Sequence, residues 1–254
     1  MLMTYEQLFN YIINKAKQKE GHYDSVKSRL QIRYEALQNF ISTHGNSSML
    51  EKVPKLKQIC DNIISTIQLV YANRHSDACN LLYDTYFNDN VIPLLRTYSL
   101  KKDTPLYRMR SADSYVQYTK DTIDEMYHVP FELRYKVGND RYNISGIPTF
   151  YLSSSIYGCW EEIQRTNLDF ANASLFKPTR ELLFLDMTIP SVKKDIQVTD
   201  IMSLPLIIAS RLEVQRVGEK FIPEYIIPQL AMECLIATRN NDDEDIKKMI
   251  GIRI

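Results

Sequence analysis

Residues Asp140 to Ile163 read DRYNISGIPTFYLSSSIYGCWEEI. The stretch runs from Arg141-Tyr142 through Asn143-Ile144-Ser145-Gly146 into the apolar run Ile147 to Leu152. Three serines follow, then Trp160, the sole tryptophan of the chain, and then Glu161 and Glu162 side by side. Asn, Ser and Gly favour a tight turn, so the pattern predicts a turn and then a strand at TFYLSS. Ser154 or Ser155 suits a helix cap, which sets both glutamates a turn or two inside a helix. Neighbouring helical residues point about 100° apart, so one carboxylate can face solvent while the other faces the sheet and needs a partner. A plainer reading also stands: acids in the first turns of a helix complement its dipole.

Working outward, the first hundred residues read as helical. Thr4 and Gln7 form a capping-box start, with Leu8, Ile12 and Ile13 behind it. A second helix is expected over about 24–42, with Val26, Leu30, Tyr34, Leu37 and Ile41 at helical spacing, and Gly45-Asn46-Ser47-Ser48 breaks it. A third is expected after Pro54, with Ile59, Ile63, Ile67 and Val70 on one face. A fourth covers about 77–96, and Pro93 kinks or ends it. From about residue 101 the texture changes. LYRMR (106–110), FELRYKV (131–137), TFYLSS (149–154), ELLFLDM (181–187) and the terminal IGIRI read as strands. TIDEMYHV (122–129), the segment after Trp160 and EYIIPQLAMECLIAT (224–238) read as helices, and LPLIIAS (204–210) is a buried run of either type. Strands and helices interleaved irregularly predict an α+β fold: a helical region over 1–100 and a mixed domain over 101–254. The chain stops on a strand, which raises the expectation of further sequence beyond Ile254.

Composition narrows the function classes. Lys+Arg and Asp+Glu both number 31 in the 254 residues, so no overall field draws the chain to nucleic acid or an anionic membrane. No apolar run approaches the roughly 20 residues that cross a bilayer, and the start carries no export signal, so the expected location is the cytoplasm. Four scattered cysteines form no CxxC pair, which argues for reduced thiols and against a zinc site. Seven glycines, with no GxGxxG and no GxxxxGK[ST], exclude a glycine-rich phosphate loop, so side chains must hold any nucleotide. The four histidines show no HExxH or paired spacing, and no serine sits in GxSxG. The acidic run Asp242 to Asp245 reads as a solvated loop or helix start.

Arg108, Arg110, Arg134 and Arg141 could each be an ordinary surface arginine, and the tyrosines could be core or rim. Their combination points further: an Arg-x-Arg on a strand, Arg141 beside a turn, Tyr151 on a strand and a glutamate on the next helix. Planar guanidinium forks suit a pyrophosphate, and tyrosine can stack on a nicotinamide or adenine ring. A glutamate can hold a ribose hydroxyl while positive charge develops at the anomeric carbon. Together they could break an N-glycosidic bond in a dinucleotide.

The order Tyr107-Arg108, Arg141-Tyr142-Asn143, Gly146, Tyr151-Leu152, Ser154-Ser155 and Glu162 resembles the RES domain of bacterial toxin–antitoxin toxins. In that pattern a glutamate lies eleven residues beyond the strand tyrosine, as Glu162 lies beyond Tyr151. Weaker echoes are Phe184-Leu185-Asp186-Met187-Thr188 and Glu224-Tyr225 to Gln229, and the likeness spans about 101–254. The resemblance implies an ADP-ribosyltransferase-like core that consumes NAD as substrate, with phosphate or water as nucleophile, or with a protein accepting ADP-ribose. It implies Arg108 and Glu162 as catalytic residues, with Arg108 and Arg141 on the NAD phosphates. Tyr151 would line the nicotinamide-ribose pocket, and Glu161 would be the solvent-side neighbour of Glu162. An antitoxin or target protein is an implied partner, and a homo-oligomer is left open. One departure is plain: where some members place the family serine, this chain has Ile226, and neither Ser203 nor Ser210 aligns with it. A non-catalytic scaffold with a degenerate nucleotide pocket is the reading that this departure favours.

Overall fold

The computed structural model describes residues 4–21, 25–87, 94–111, 126–189, 196–216, 218–238 and 249–254. Half of the helix expected over 122–129 lies outside these residues, and Met126 to Val129 are no α-helix; Pro93 and the Asp242 to Asp245 run lie wholly outside them. The fold is α+β. Its contacts form two compact units, one of residues 1–98 with 183–254 and one of residues 99–182. The chain passes from one unit to the other at Tyr98/Ser99 and back at Leu182/Leu183.

The first unit is built on helices. They are α1 (Tyr5–Lys19), α2 (Val26–His44), α3 (Ser47–Tyr71), α4 (His75–Tyr86), α6 (Val198–Ser210) and α7 (Ile226–Ala237). The capping box at Thr4 and Gln7 is present. Helix α3 starts earlier than its proline suggests, because Asn46 Oδ1 accepts the Met49 N–H at 3.0 Å and caps it. Pro54 then sits inside the helix, and the carbonyl it would have bonded belongs to Leu50, an exposed residue where water can serve instead. Helix α6 settles the ambiguous LPLIIAS run. It is buried from Asp200 through Ser210 and packs on α2, α3 and α7. A helix enclosed on all sides has no polar stripe, so its sequence shows no period. The Tyr34 hydroxyl donates to the Pro205 carbonyl at 2.9 Å, tying α2 to it.

Strands β1 (Thr97–Leu100), β4 (Leu182–Asp186) and β5 (Met249–Arg253) form a sheet in the order β1-β4-β5. β4 and β5 are parallel, which requires a long crossover between them, and α6 and α7 supply it. Burial of charge is a feature of this unit. Arg96 Nη2 lies 2.7 Å from Asp186 Oδ2 and its Nε 3.2 Å from Asp200 Oδ1. Its Nη1 donates to the Thr188 carbonyl at 2.9 Å. Arg29, only 2% exposed, donates to Glu224 and to the Glu213 carbonyl, both at 2.9 Å. Cys79 of α4 and Cys234 of α7 meet as thiols with their Sγ atoms 3.8 Å apart, a contact that sequence spacing could not reveal.

The second unit carries β2 (Leu106–Ser111), α5 (Ile156–Glu162) and β3 (Ala171–Phe176). β2 and β3 pair antiparallel, with Arg108 opposite Ser174 and Arg110 opposite Asn172. Two sequence expectations are corrected here. FELRYK is a 3-10 helix, Phe131–Lys136, with no buried residue. Its alternation of Phe131, Leu133 and Tyr135 therefore records no core face. TFYLSS is no strand but makes one bridge, in which the N–H of Ser153 donates to the Tyr107 carbonyl and that of Tyr107 to the Ser153 carbonyl, both at 2.8 Å. Ser155 then caps α5 by accepting the Gly158 N–H at 3.0 Å, which ends the pairing.

Candidate functional site

Three elements of the second unit bring the candidate residues together. Alternation on β2 sets Arg108 and Arg110 on one face, with Met109 buried on the other. The single bridge at Ser153 holds the Phe150-Tyr151 segment beside β2. The same bridge fixes the start of α5, and Cys159 Sγ donates to the Tyr107 carbonyl at 3.2 Å to hold that helix against the strand.

Gly158 determines how close α5 lies. A Cβ there would stand 2.5 Å from Ser153 Oγ and 3.2 Å from Ser155 Oγ, so any larger residue must push the Ser153 hydroxyl aside. The sequence carried a signal for it: glycine is a poor helix residue, the chain has only seven, and one falls inside a predicted helix. The far end of α5 is equally fixed. Gln164 and Arg165 both adopt positive φ, 60° and 56°, which stops the helix right after Glu162. The Trp160 indole N–H donates to the Thr166 carbonyl at 2.8 Å and locks that turn.

The two glutamates diverge, as helical geometry requires. Glu161 accepts both contacts of Arg165 Nε, at 2.9 and 3.0 Å. The Tyr157 hydroxyl, and then Arg165, hold its carboxyl below the ordinary carboxylate range. Glu162 acts on the other side: its charge reaches Arg108, Tyr151 and Cys159. One expectation is corrected. Glu161 is the half-buried member of the pair and Glu162 the exposed one, and Arg165 and Tyr157 bind the former. Among the described residues Glu162 makes no hydrogen bond or ion pair.

Arg108 is half-buried, and its guanidinium lies 5.2 Å from the Phe150 ring centroid. Phe150 belongs to an aromatic group with Phe176 at 5.0 Å and Tyr127 at 6.0 Å, centroid to centroid. Burial lowers the Arg108 pKa, the neighbouring Arg110 charge lowers it further, and Glu162 pulls it back up. Arg108 Nη1 is buried without a hydrogen-bond partner, and so is Arg110 Nε. A donor left so costs about 1–3 kcal/mol, more when it is charged. Arg110 spends one donor on the Tyr127 carbonyl, 2.9 Å from its Nη2.

Tyr151 is half-buried, and burial above all raises its phenol, with the Asp140 and Glu162 charges adding to the effect. The Tyr142 backbone partly offsets this by hydrogen bonding. The structure therefore assembles Arg108, Tyr151 and Glu162. Arg141 lies between Asp140 and Tyr142, which both act on Tyr151, in the turn closed by the Asn143 N–H and the Asp140 carbonyl at 3.1 Å. Burial raises the Cys159 thiol, and the Glu162 charge adds to it, so Cys159 is no thiolate nucleophile. Ser203 commits its hydroxyl elsewhere, donating to the Thr199 carbonyl at 2.9 Å and accepting the Arg96 N–H at 3.0 Å. Ile226 is buried in α7. Among the described residues no group of three or more His, Cys, Asp or Glu could hold a metal ion, and no helix is long and apolar enough to cross a membrane.

Comparison with known proteins gives one informative relative. A Bacillus subtilis (strain 168) protein named "Putative toxin YopC" is 28% identical over 214 residues, 75% of this chain. The match covers 48% of the relative's length, so the chain spans about half of that protein. No protein-family model matches the chain, and no solved structure is significantly similar to it.

Proposed function

We propose that the second unit binds NAD and breaks its nicotinamide–ribose bond, and that the protein acts in the cytoplasm as a toxin or defence effector restrained by an antitoxin. The toxin role is supported by the name of the Bacillus relative and by the RES-like residue order. The observation that carries the chemistry is the pairing of uncommitted groups. Among the described residues Glu162 is an exposed carboxylate with no hydrogen bond or ion pair, and its charge acts on Arg108, whose buried Nη1 has no acceptor there.

These residues fit a dinucleotide. A pyrophosphate would supply the acceptor that Arg108 Nη1 lacks, with Arg141 as the second cation and Tyr151 against the nicotinamide ribose. Glu162 accepts a hydrogen bond from a ribose hydroxyl and, as an anion, stabilises positive charge at the anomeric carbon. Its exposure leaves room for phosphate or water to approach. Phe150 and Tyr151 keep bulk water from the face of the sugar.

The purified protein is incubated with NAD, with and without inorganic phosphate, and the products are separated by liquid chromatography. Nicotinamide release that Glu162→Gln abolishes is the expected result, and dependence on phosphate distinguishes phosphorolysis from hydrolysis. A Glu162→Gln variant that releases nicotinamide as fast as the unaltered chain sinks the assignment. One observation favours a second reading, transfer of ADP-ribose to a protein. Phe131 and Tyr135, 62% and 75% exposed on the 3-10 helix of the same unit, offer a surface for an acceptor. ADP-ribose retained on protein, in place of a free product, identifies that reaction.

A further inference from the structure

We propose that Arg110 joins Arg108 in a two-guanidinium site for a phosphoryl oxyanion, with Asn172 and Ser174 as its neutral floor. The NAD reading supplies the natural ligand on which the proposal rests. The oxyanion chemistry itself stands on the strand geometry.

Arg108 and Arg110 project from the same face of β2, and their direct partners across the ladder are Ser174 and Asn172. Facing residues of a ladder are close neighbours, and neither of these carries charge. Two like charges therefore sit side by side with no carboxylate opposite them on the ladder; the Arg110 charge acts on Arg108, and the Glu162 charge offsets it in part from α5. Both arginines also hold an N–H that is buried and unbonded, Nη1 of Arg108 and Nε of Arg110. Other arginines of the chain show what a structural guanidinium looks like: Arg96 and Arg29 each meet carboxylates. Among the described residues Arg108 and Arg110 meet none.

The rest of the surroundings keeps the pair in place. Phe150 packs on the Arg108 guanidinium face, which leaves its edge donors free, and the Tyr127 carbonyl tethers Arg110 through Nη2. Planar forks held at their faces or at one nitrogen present their remaining N–H groups to a tetrahedral oxyanion, which can take two hydrogen bonds from each. Asn172 and Ser174 can donate to it as well. A ligand with two negative charges relieves the repulsion that a singly charged one leaves half in place.

Inorganic pyrophosphate is titrated into the full chain and followed by calorimetry at low and at high salt. Binding that weakens as salt rises is expected. Arg110→Gln lowers the affinity tenfold or more, and Arg110→Lys by less, since lysine restores the charge without the fork. Wild-type protein that does not bind pyrophosphate, or Arg110→Gln that binds as tightly as wild type, overturns the proposal. Modification of the unaltered chain with phenylglyoxal, mapped by mass spectrometry, reads the same site without a variant. Arg110 labelling is expected to fall when pyrophosphate is present, and equal labelling overturns the assignment. Pyrophosphate binding without nicotinamide release upholds the oxyanion site and removes phosphorolysis and hydrolysis, so the two failures are distinct.

Discussion

Arg96 in the first unit and Arg108 in the second are both largely withdrawn from water, yet the chain treats them in opposite ways. Arg96 is met on every side. Two aspartates, the Thr188 carbonyl and the Thr188 hydroxyl all accept from it, and its backbone N–H reaches Ser203. Asp200 is shared in turn with the start of α6, where its Oδ2 accepts the Gln197 N–H at 2.7 Å. Among the described residues Arg108 makes no hydrogen bond or ion pair through its side chain; it packs on the face of Phe150 and feels the Glu162 charge. A buried charge that is fully paired holds elements in one arrangement, whereas a buried charge left with a free donor is held ready for something that arrives later. Arg96 and Arg108 thus differ in the partners that meet them.

The largest effect should come from breaking the paired side. Arg96→Met takes the cation from beside Asp200 and leaves Asp186 to the more distant Arg253, 3.8 Å away; the two aspartates are 2% and 10% exposed at the side chain. Removing one member of such a buried pair costs about 3–5 kcal/mol. Urea denaturation should record that loss, and a variant within about 1 kcal/mol of wild type would erase the contrast. Arg108→Gln should cost far less stability, since it removes a charge with an unsatisfied donor and loses only the packing on Phe150, worth about 0.5–1 kcal/mol for a cation over a ring. The same substitution should abolish ligand binding. If Arg108→Gln unfolds the protein as Arg96→Met does, Arg108 belongs with the structural arginines.

Much of this was readable in the residues, and what was not has physical reasons. The Thr4 and Ser155 caps, the β2 strand and the final strand follow from side-chain type and spacing and are present, as are the apolar stripes of α1 to α3 apart from Ile13, which is 42% exposed. So is the divergence of Glu161 from Glu162, which needs only helical geometry and the Ser155 cap. Periodicity failed where the environment is uniform: α6 is enclosed on all sides, and 131–136 is exposed on all sides, so neither records a face. β1 and β3 escaped notice because their burial patterns hold almost no buried residue. The arginine contrast lies beyond sequence altogether. Asp186 and Asp200 reach Arg96 from about a hundred residues away, and nothing local distinguishes it from Arg108.

The position of Glu162 depends on backbone approach, and Gly158 tests that. In Gly158→Ala the new methyl displaces Ser153 Oγ, which now accepts the Ser155 N–H at 3.3 Å. Losing that bond costs about 1 kcal/mol. Ser153→Ala combined with Gly158→Ala should cost less than the two changes separately, because the clash then has no hydroxyl to strike. If the two effects simply add, Gly158 is not what sets the distance between α5 and β2, and the closeness of Glu162 to Arg108 needs another cause.

The smallest effect belongs to Glu161, and it separates the two glutamates most cleanly. Tyr157 and Arg165 lower its carboxyl pKa in the folded protein. A group with a depressed folded pKa adds stability above its unfolded pKa, and that stability is lost as pH falls through the folded value. Stability compared between wild type and Glu161→Gln should therefore differ slightly at neutral pH, and the difference should shrink to nothing in acid. Nicotinamide release should be unchanged by Glu161→Gln at any pH where the protein is folded, since this carboxylate faces Arg165 and not Arg108. Turnover lost with Glu161→Gln and kept with Glu162→Gln would exchange their roles, and the half-buried glutamate would then be the one that acts on substrate.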